Sequence, residues 1–165
     1  MRADREVHGG GYGSEIGLGV MIEGVSLHPL RQIAVPKGDV WHAFKCSDEG
    51  FVGFGEAYFT HVDAGAIKGW KRHNRYTLNL VVVQGAVRFV LFDDREGSST
   101  KGQFAEVTLS PKDNYQRLTV APGLWMAFQG VSEEQAMLMD LIPELHTPDE
   151  SDKKELDDIK YDWKL

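Results

Sequence analysis

The sequence predicts an all-β fold, either a sandwich or a barrel. Its 18 glycines and 6 prolines are scattered between short apolar runs, which is the punctuation of a β-rich chain. Candidate strands recur about every ten residues, with turn residues between them. Helical patterns are weak, with candidates only at Ser132-Glu133-Glu134 and within residues 149–158. A length of 165 residues fits one domain.

The clearest element covers residues 76–92. Apolar residues alternate from Leu78 to Val82, stop at Gln84-Gly85, and resume through Phe92. This pattern predicts a hairpin of two strands with a tight turn at the glycine. A polar loop follows at residues 93–99. Further strands are predicted over residues 33–35, 40–45, 53–61, 104–109, 115–120, 125–128 and 136–142.

Two flanks separate from this series of strands. Residues 1–25 are rich in glycine and are predicted to be a flexible N-terminal segment. Residues 26–148 are predicted to form the barrel, and the acidic residues 149–165 a C-terminal segment packed on it. We therefore expect one structural domain with two appended segments.

Charge and cysteine content exclude several classes of protein. A net charge of −7 argues against a general nucleic-acid binder, because such binding depends on neutralising phosphates. The single cysteine, Cys46, cannot form an internal disulfide, so no oxidising compartment is required. Apolar runs such as residues 80–83 are far short of the ~20 residues that span a bilayer. We expect a soluble cytoplasmic protein with neither nucleic-acid nor membrane partners.

A basic segment at residues 68–75 stands out in this acidic chain. It holds four cations and one histidine, and clustered cations in a concave site bind anions such as a diphosphate. The alternative is an exposed basic edge that prevents strand pairing. An extended conformation places Gly69, Lys71 and His73 on one face, and Lys68, Trp70 and Arg72 on the other.

No motif for a metal, a cofactor or a nucleophile is found. The six histidines include no His-x-His pair, whereas a transition-metal site needs three or four converging ligands. Cys46 stands beside Lys45 and belongs to none of the known nucleophile motifs, and a lone cysteine is usually inert. Nucleophile-elbow, Walker and dinucleotide motifs are also missing. We predict no metal and no cofactor.

Five segments in order resemble one known family. Residues 68–71 are similar to its Arg-Gly-Leu-His element, and residues 82–87 to its Val-Val-x-Gly-x-Val element. Residues 93–102 match its Asp-x-Arg and Ser-x-Thr-x-Gly elements, residues 121–128 its Pro-x-Gly-Phe-Ala-His-Gly-Phe loop, and residues 37–42 its Arg-Gly-x-x-x-Glu element. The chain resembles the dTDP-4-dehydrorhamnose 3,5-epimerases over roughly residues 30–163. It is most similar to a divergent branch with a Lys-Gly-Trp-x-x-His segment.

The resemblance implies a single-domain, cupin-type jelly-roll β-barrel that forms a homodimer. It also implies a carbohydrate epimerase or isomerase that acts on a nucleotide-diphosphate 4-keto sugar, in surface-polysaccharide or deoxysugar biosynthesis. The reaction would be a cofactor-free deprotonation next to the ketone. The alternative is a non-catalytic protein on the same fold that binds a sugar nucleotide or acts as a scaffold.

The sequence departs from the family at the positions of its catalytic residues. Lys71 stands at the position of the family's histidine base, Met126 replaces the histidine of the loop, and the family's tyrosine acid falls near Met139. Lys71 could act as the base if burial and nearby cations lower its pKa. His73, on the same face, needs less tuning because its ordinary pKa is about 6.5.

The remaining site residues are implied by the resemblance. Lys37 corresponds to the family's phosphate-contacting arginine, and Lys68 to the arginine before its base. Asp157 or Asp158 is the candidate carboxylate partner of the base. The predicted catalytic residues are His73 and Lys71, and the predicted substrate-binding residues are Lys37, His42, Tyr58, Lys68, Arg72, Asn79 and Trp125.

Overall fold

Antiparallel strands dominate residues 21–163, the part of the chain that the computed structural model describes. Two 3₁₀ turns, Pro148–Glu150 and Leu156–Asp158, lie near the C-terminus. The strands are β1 (Val25–Pro29), β2 (Gln32–Ile33), β3 (Val40–Trp41), β4 (Glu56–Val62), β5 (Ile67–His73), β6 (Leu78–Gln84), β7 (Val87–Phe92), β8 (Phe104–Leu109), β9 (Gln116–Val120), β10 (Trp125–Gly130), β11 (Ala136–Ile142) and β12 (Ser151–Lys153).

Ten of these strands form two five-stranded sheets that face each other. The first sheet has the order β1-β9-β6-β11-β4, and the second has the order β12-β5-β10-β7-β8. The inward-facing apolar side chains of both sheets make one buried core, with Leu80 from the first and Phe89 from the second as typical members. Strands β2 and β3 form a separate two-stranded ribbon. The predicted all-β barrel is confirmed, as a cupin-type jelly roll.

The predicted hairpin at residues 76–92 is wrong. Strand β6 pairs with β9 and β11, whereas β7 pairs with β8 and β10, so the two strands lie in different sheets. Each strand is buried along most of its length, because its apolar residues pack against the opposite sheet. The two strands are not neighbours within one sheet. Gly85, with a φ of 68°, makes the turn that carries the chain from one sheet to the other.

A second apolar layer covers the outer face of the second sheet. Trp70 of β5 and Trp125 of β10 pack there with Ile159, and Trp163 lies against them from the C-terminal segment. This outer position of Trp70 fixes the direction of its neighbours, because successive side chains of a strand point to opposite faces. Lys71 therefore faces the interior of the barrel.

The predicted boundaries differ from the structure in several places. The predicted strand at residues 40–45 ends at Trp41, before a turn in which the Lys45 backbone N–H donates to the Asp48 carboxylate. Residues 132–134 form a bend and start no helix. Residues 1–20 of the predicted flexible segment lie outside the described residues, whereas Ile22 is buried in the core. Within the described range, no helix has the length and apolar character to cross a membrane.

The Asp-x-Arg and Ser-x-Thr-x-Gly motif forms a structural loop. Buried Asp93 accepts hydrogen bonds from the guanidinium of Arg95 and the hydroxyls of Ser98 and Thr100. These bonds, with the Arg95 contact the strongest, hold the pKa of Asp93 well below its ordinary value although burial opposes them. None of these side chains lines the cavity between the two sheets, so the motif supports the fold.

Candidate active site

A cavity of about 480 Å³ lies between the two sheets and opens to solvent. The second sheet contributes Lys68, Lys71 and His73 from β5, and Met126 and Phe128 from β10. The first sheet contributes Tyr58 and Thr60 from β4, Leu80 from β6, and Leu138 and Asp140 from β11. The C-terminal segment closes one side with Lys153, Lys154 and Glu155.

A bulge in β5 brings both lysines to this cavity. Met126 of β10 pairs with Lys71, but Phe128 pairs with Lys68, so β5 carries one extra residue between the two pairs. Paired residues share a face of the sheet, and Met126 and Phe128 both pack against the inner core. The predicted alternation, which put Lys68 on the face of Arg72, is therefore wrong because the bulge resets it.

His73 is held by a buried carboxylate. Its Nδ1 lies 2.5 Å from Oε2 of Glu150, which is fully buried. The other oxygen, Oε1, accepts the backbone N–H groups of Arg75 at 2.8 Å and Tyr76 at 3.1 Å. Burial raises the pKa of Glu150, but these backbone bonds and the His73 bond outweigh it, and the net pKa is lowered. Glu150 is thus ionised and accepts the Nδ1 proton, which leaves the lone pair on Nε2.

The environment also keeps His73 neutral. Burial lowers the pKa of His73, and the nearby charge of Lys71 lowers it further. The hydrogen bond from Glu150 raises the pKa but does not overcome burial. A neutral imidazole whose orientation and tautomer are fixed by a carboxylate has the properties of a general base.

Lys71 lies beside this pair and is half-buried. Burial lowers the pKa of its ammonium, with a smaller contribution from Lys153, while Asp140 and Glu150 raise it. Lys71 thus experiences the charge of two carboxylates and can place a positive charge next to an oxygen bound in the cavity.

A second polar pair lies on the opposite wall. Tyr58 of β4 and Asp140 of β11 are cross-strand partners, and the Tyr58 hydroxyl donates to Oδ2 of Asp140 at 2.9 Å. Asp140 is only 7% exposed, and burial raises its pKa to about 6. Its other oxygen, Oδ1, has no hydrogen-bond partner in the part of the chain that the structure describes. Burial and the Asp140 carboxylate raise the pKa of Tyr58.

Three of the predicted substrate-binding residues lie on outer faces of the sheets. Arg72 bonds to Asp152 at 2.7 Å and stacks on the Trp125 ring, 4.6 Å from its centroid. Asn79 donates to the Gly50 carbonyl and accepts from the Thr119 hydroxyl. These contacts brace the outer layers, and none of Arg72, Trp125 and Asn79 lines the cavity.

Lys37 and His42 lie at the β2–β3 ribbon, also away from the cavity. Lys37 sits in its turn with a φ of 75°. His42 follows β3 and accepts, through its carbonyl, a hydrogen bond from the Tyr115 hydroxyl. The structure therefore brings together Lys68, Lys71, His73 and Tyr58 from the predicted set and leaves the other five predicted residues apart.

Sequence reasoning missed two carboxylates. The partner of His73 is Glu150, whereas Asp158 caps a 3₁₀ turn through the Glu155 backbone N–H, and neither Asp157 nor Asp158 lines the cavity. Asp140 did carry a signal, because an acidic residue interrupts an apolar strand on the face that it shares with Leu138. Glu150 carried none, because its contact with His73 spans 77 residues.

Metal-ligating side chains do not gather in this region. Among residues 21–163, no three histidine, cysteine, aspartate or glutamate side chains converge in a way that could hold a metal ion. The predicted absence of a metal stays a prediction.

The fold and the site together define a jelly-roll barrel with a carboxylate-held histidine opening on a cavity between its sheets. Comparison with known families gives the same class of protein. The model of the dTDP-4-dehydrorhamnose 3,5-epimerase family matches residues 38–165. The chain belongs to this family, which confirms the sequence prediction.

Individual relatives extend this result. A dTDP sugar isomerase from Desulfovibrio desulfuricans superposes with a TM-score of 0.80 at 36% identity, covering 82% of this chain and 87% of that one. A probable low-salt glycan biosynthesis epimerase, Agl13 of Haloferax volcanii, is 24% identical over 86% of this chain and 89% of its own. The spore coat polysaccharide biosynthesis protein SpsL of Bacillus subtilis is 25% identical over 87% of this chain and 97% of its own.

Proposed function

We propose that this protein epimerises or isomerises a nucleotide-diphosphate 4-keto sugar, with His73 as the base. The observation that carries the proposal is the buried His73–Glu150 pair, whose geometry leaves the Nε2 lone pair available at the cavity. The names of its relatives support a dTDP-linked sugar and a role in polysaccharide biosynthesis. Deoxysugar biosynthesis uses the same class of substrate.

The first chemical step uses two groups of β5. His73 Nε2 removes the proton from the carbon next to the ketone, and the electrons of the C–H bond move to the carbonyl oxygen as an enolate. The ammonium of Lys71 stabilises this negative charge, in a cavity where burial strengthens the attraction. Lys71 thus acts as the electrostatic partner of the base, which assigns the two predicted catalytic residues different roles.

The diphosphate of the substrate would bind at the lysine-rich side of the cavity. Lys68 and Lys153 line it and are exposed there. Their flexible side chains can keep a positive charge close to a mobile diphosphate while the sugar binds between the sheets. Lys154 also lines the cavity, but its ammonium is directed to the outer face of the second sheet, 4.5 Å from the Trp125 ring centroid, and is not part of this phosphate site.

A solvent-exchange experiment tests the proposal. The protein is incubated with a dTDP-4-keto-6-deoxyhexose in D₂O, and deuterium at C3 and C5 is followed by NMR. We expect exchange with the wild type, a loss of about 10²–10⁴-fold in His73→Gln, and a smaller loss in Lys71→Gln. Asp157→Asn removes an exposed carboxylate outside the cavity and serves as the control.

The outcomes separate the candidate functions. Binding of the nucleotide sugar without exchange would instead support the binding or scaffold role. An unchanged exchange rate in both folded variants, His73→Gln and Lys71→Gln, would place the base elsewhere.

We further propose that the active form is a cytoplasmic homodimer. Apolar side chains are exposed in and just before β4, which is an edge strand, including Phe59 at 59% exposure and Phe54 at 66%. Such a patch favours association with a second copy. Light scattering after size exclusion should give twice the chain mass, and Phe59→Ser should lower the measured mass toward that of a single chain.

The proposed cytoplasmic location rests on the cysteine. The single thiol of Cys46 is free, which suits a reducing compartment.

A further inference from the structure

The two walls of the cavity carry different chemistry. His73 and Glu150 belong to the side of the second sheet, whereas Tyr58 and Asp140 lie on adjacent strands of the first. A substrate held between the sheets would present opposite faces to these two pairs. This arrangement suits inversion at a carbon, because the proton must leave from one face and a proton must return to the other.

On the cavity wall formed by the first sheet, Asp140 has a carboxylate oxygen that can still form a hydrogen bond with a ligand. Its Oδ2 is held by the Tyr58 hydroxyl, while the buried Oδ1 has no partner in the described part of the chain. A buried oxygen without a hydrogen bond is costly unless a ligand supplies one. Its neighbour Met139 lies on the other face of β11 and does not line the cavity.

We propose that Asp140, oriented by Tyr58, is the acid that returns a proton to the substrate carbon on the face opposite His73. This inference rests on the proposed function and adds to it the second catalytic residue. Asp140 is the catalytic residue in this step, and Tyr58 is a positioning residue that acts through it.

The proton balance of the reaction closes with water alone. His73 removes a proton from one face of the carbon, and the C–H electron pair forms the enolate. The enolate then re-forms the ketone while the carbon takes the Asp140 proton on its other face, which leaves a carboxylate. His73 releases its proton to water and Asp140 regains one from water before the next turnover.

The environment of Asp140 fits this task. Burial raises its pKa to about 6, and the opposing effects of Tyr58 and Lys71 limit the rise. An acid with a pKa near the working pH keeps a protonated fraction and still gives up its proton readily. The Tyr58 hydroxyl, in contrast, has a raised pKa and is a poor acid.

The test measures deuterium entry and stereochemical inversion in the same D₂O reaction. In Asp140→Asn, His73 can still remove a proton and return solvent deuterium to the same face. We expect wash-in to continue within a few-fold of the wild type, while inversion falls by about 10²-fold or more. Asp157→Asn, the same chemical change at an exposed site, should keep both rates. Circular dichroism verifies folding.

The failures can be told apart. Absence of wash-in in the wild type refutes the proposed function itself. Wild-type inversion that persists in Asp140→Asn refutes only the present inference. Loss of both rates in a folded Asp140→Asn also refutes it, because the acid would then not act after a separate abstraction step.

Tyr58→Phe supplies a second, independent readout. The Tyr58 bond lowers the pKa of Asp140, so its removal should raise the pKa that governs the alkaline limb of inversion. Lys71, the other charged group that faces Asp140, is unchanged in this variant. A limb that moves to higher pH, with kcat affected more than KM, supports the positioning role. A pH profile that does not move contradicts it.

Discussion

Replacing Asp140 with asparagine should change how the stability of the protein depends on pH. The carboxyl is 7% exposed, and its pKa rises from 3.8 to about 6 on folding. The folded state therefore binds this proton more tightly than the unfolded state does. For the wild type, the free energy of unfolding must fall as the pH rises through this window.

The magnitude follows from the shift. A pKa shift of about two units, at 1.36 kcal/mol each, corresponds to about 3 kcal/mol in the free energy of unfolding. The wild type has this contribution at low pH and loses it above the pKa of the folded state. Asparagine does not titrate, and its oxygen can still accept the Tyr58 hydroxyl. We expect Asp140→Asn to be more stable than the wild type at pH 8 by up to ~3 kcal/mol, with little difference at pH 4.

Urea denaturation across pH 4–8 measures this difference. His73 also titrates in the range, but both proteins contain it, so its contribution largely cancels in the difference. Two stability curves that run parallel over the whole range would refute the reasoning, since Asp140 would then have the same pKa in both states. A gain in stability with a loss of inversion would show that the fold tolerates this costly carboxyl for its chemistry.

Three further predictions concern the base, the mouth of the cavity and the fold. Glu150→Gln puts an amide N–H against His73 Nδ1 and so favours the wrong tautomer; deuterium exchange should fall about 10²–10⁴-fold, and an unchanged rate would contradict the assigned tautomer. Lys68→Ala removes an exposed charge, so calorimetry should show nucleotide-sugar binding weakened by about 0.5–1.5 kcal/mol, and equal affinity would exclude Lys68 from the site. Gly85→Ala forces a Cβ to within 2.6 Å of Ser132 Oγ at a φ of +68°; urea unfolding should show a loss of about 1–3 kcal/mol, and a neutral result would mean that the turn relaxes freely.

The local pattern of the sequence was sufficient for the class of fold and for part of the site. Alternating apolar residues and glycine turns predicted the strands Phe104–Leu109 and Ala136–Ile142 at the bounds the structure has. The five ordered segments predicted the family. Lys71 and His73 were placed on one face because alternation within a strand is a local property.

Other features depended on which strands meet. Strands β6 and β7, which the sequence predicts to be a hairpin, lie in two different sheets. The apolar pattern shows that both strands are buried, but it does not show which strands they pair with or pack against. The bulge that turns Lys68 into the cavity exists only in the pairing of β5 with β10.

The sequence by itself determined an all-β jelly roll of the epimerase family with a basic segment that carries Lys71 and His73. Only the tertiary structure decided what completes the site. Glu150 reaches His73 because the C-terminal segment adds β12 to the edge of β5. Asp140 meets Tyr58 because β11 pairs with β4 across 82 residues. Both contacts, and the burial that shifts the pKa values of these groups, arise from long-range packing, for which spacing along the chain carries no signal.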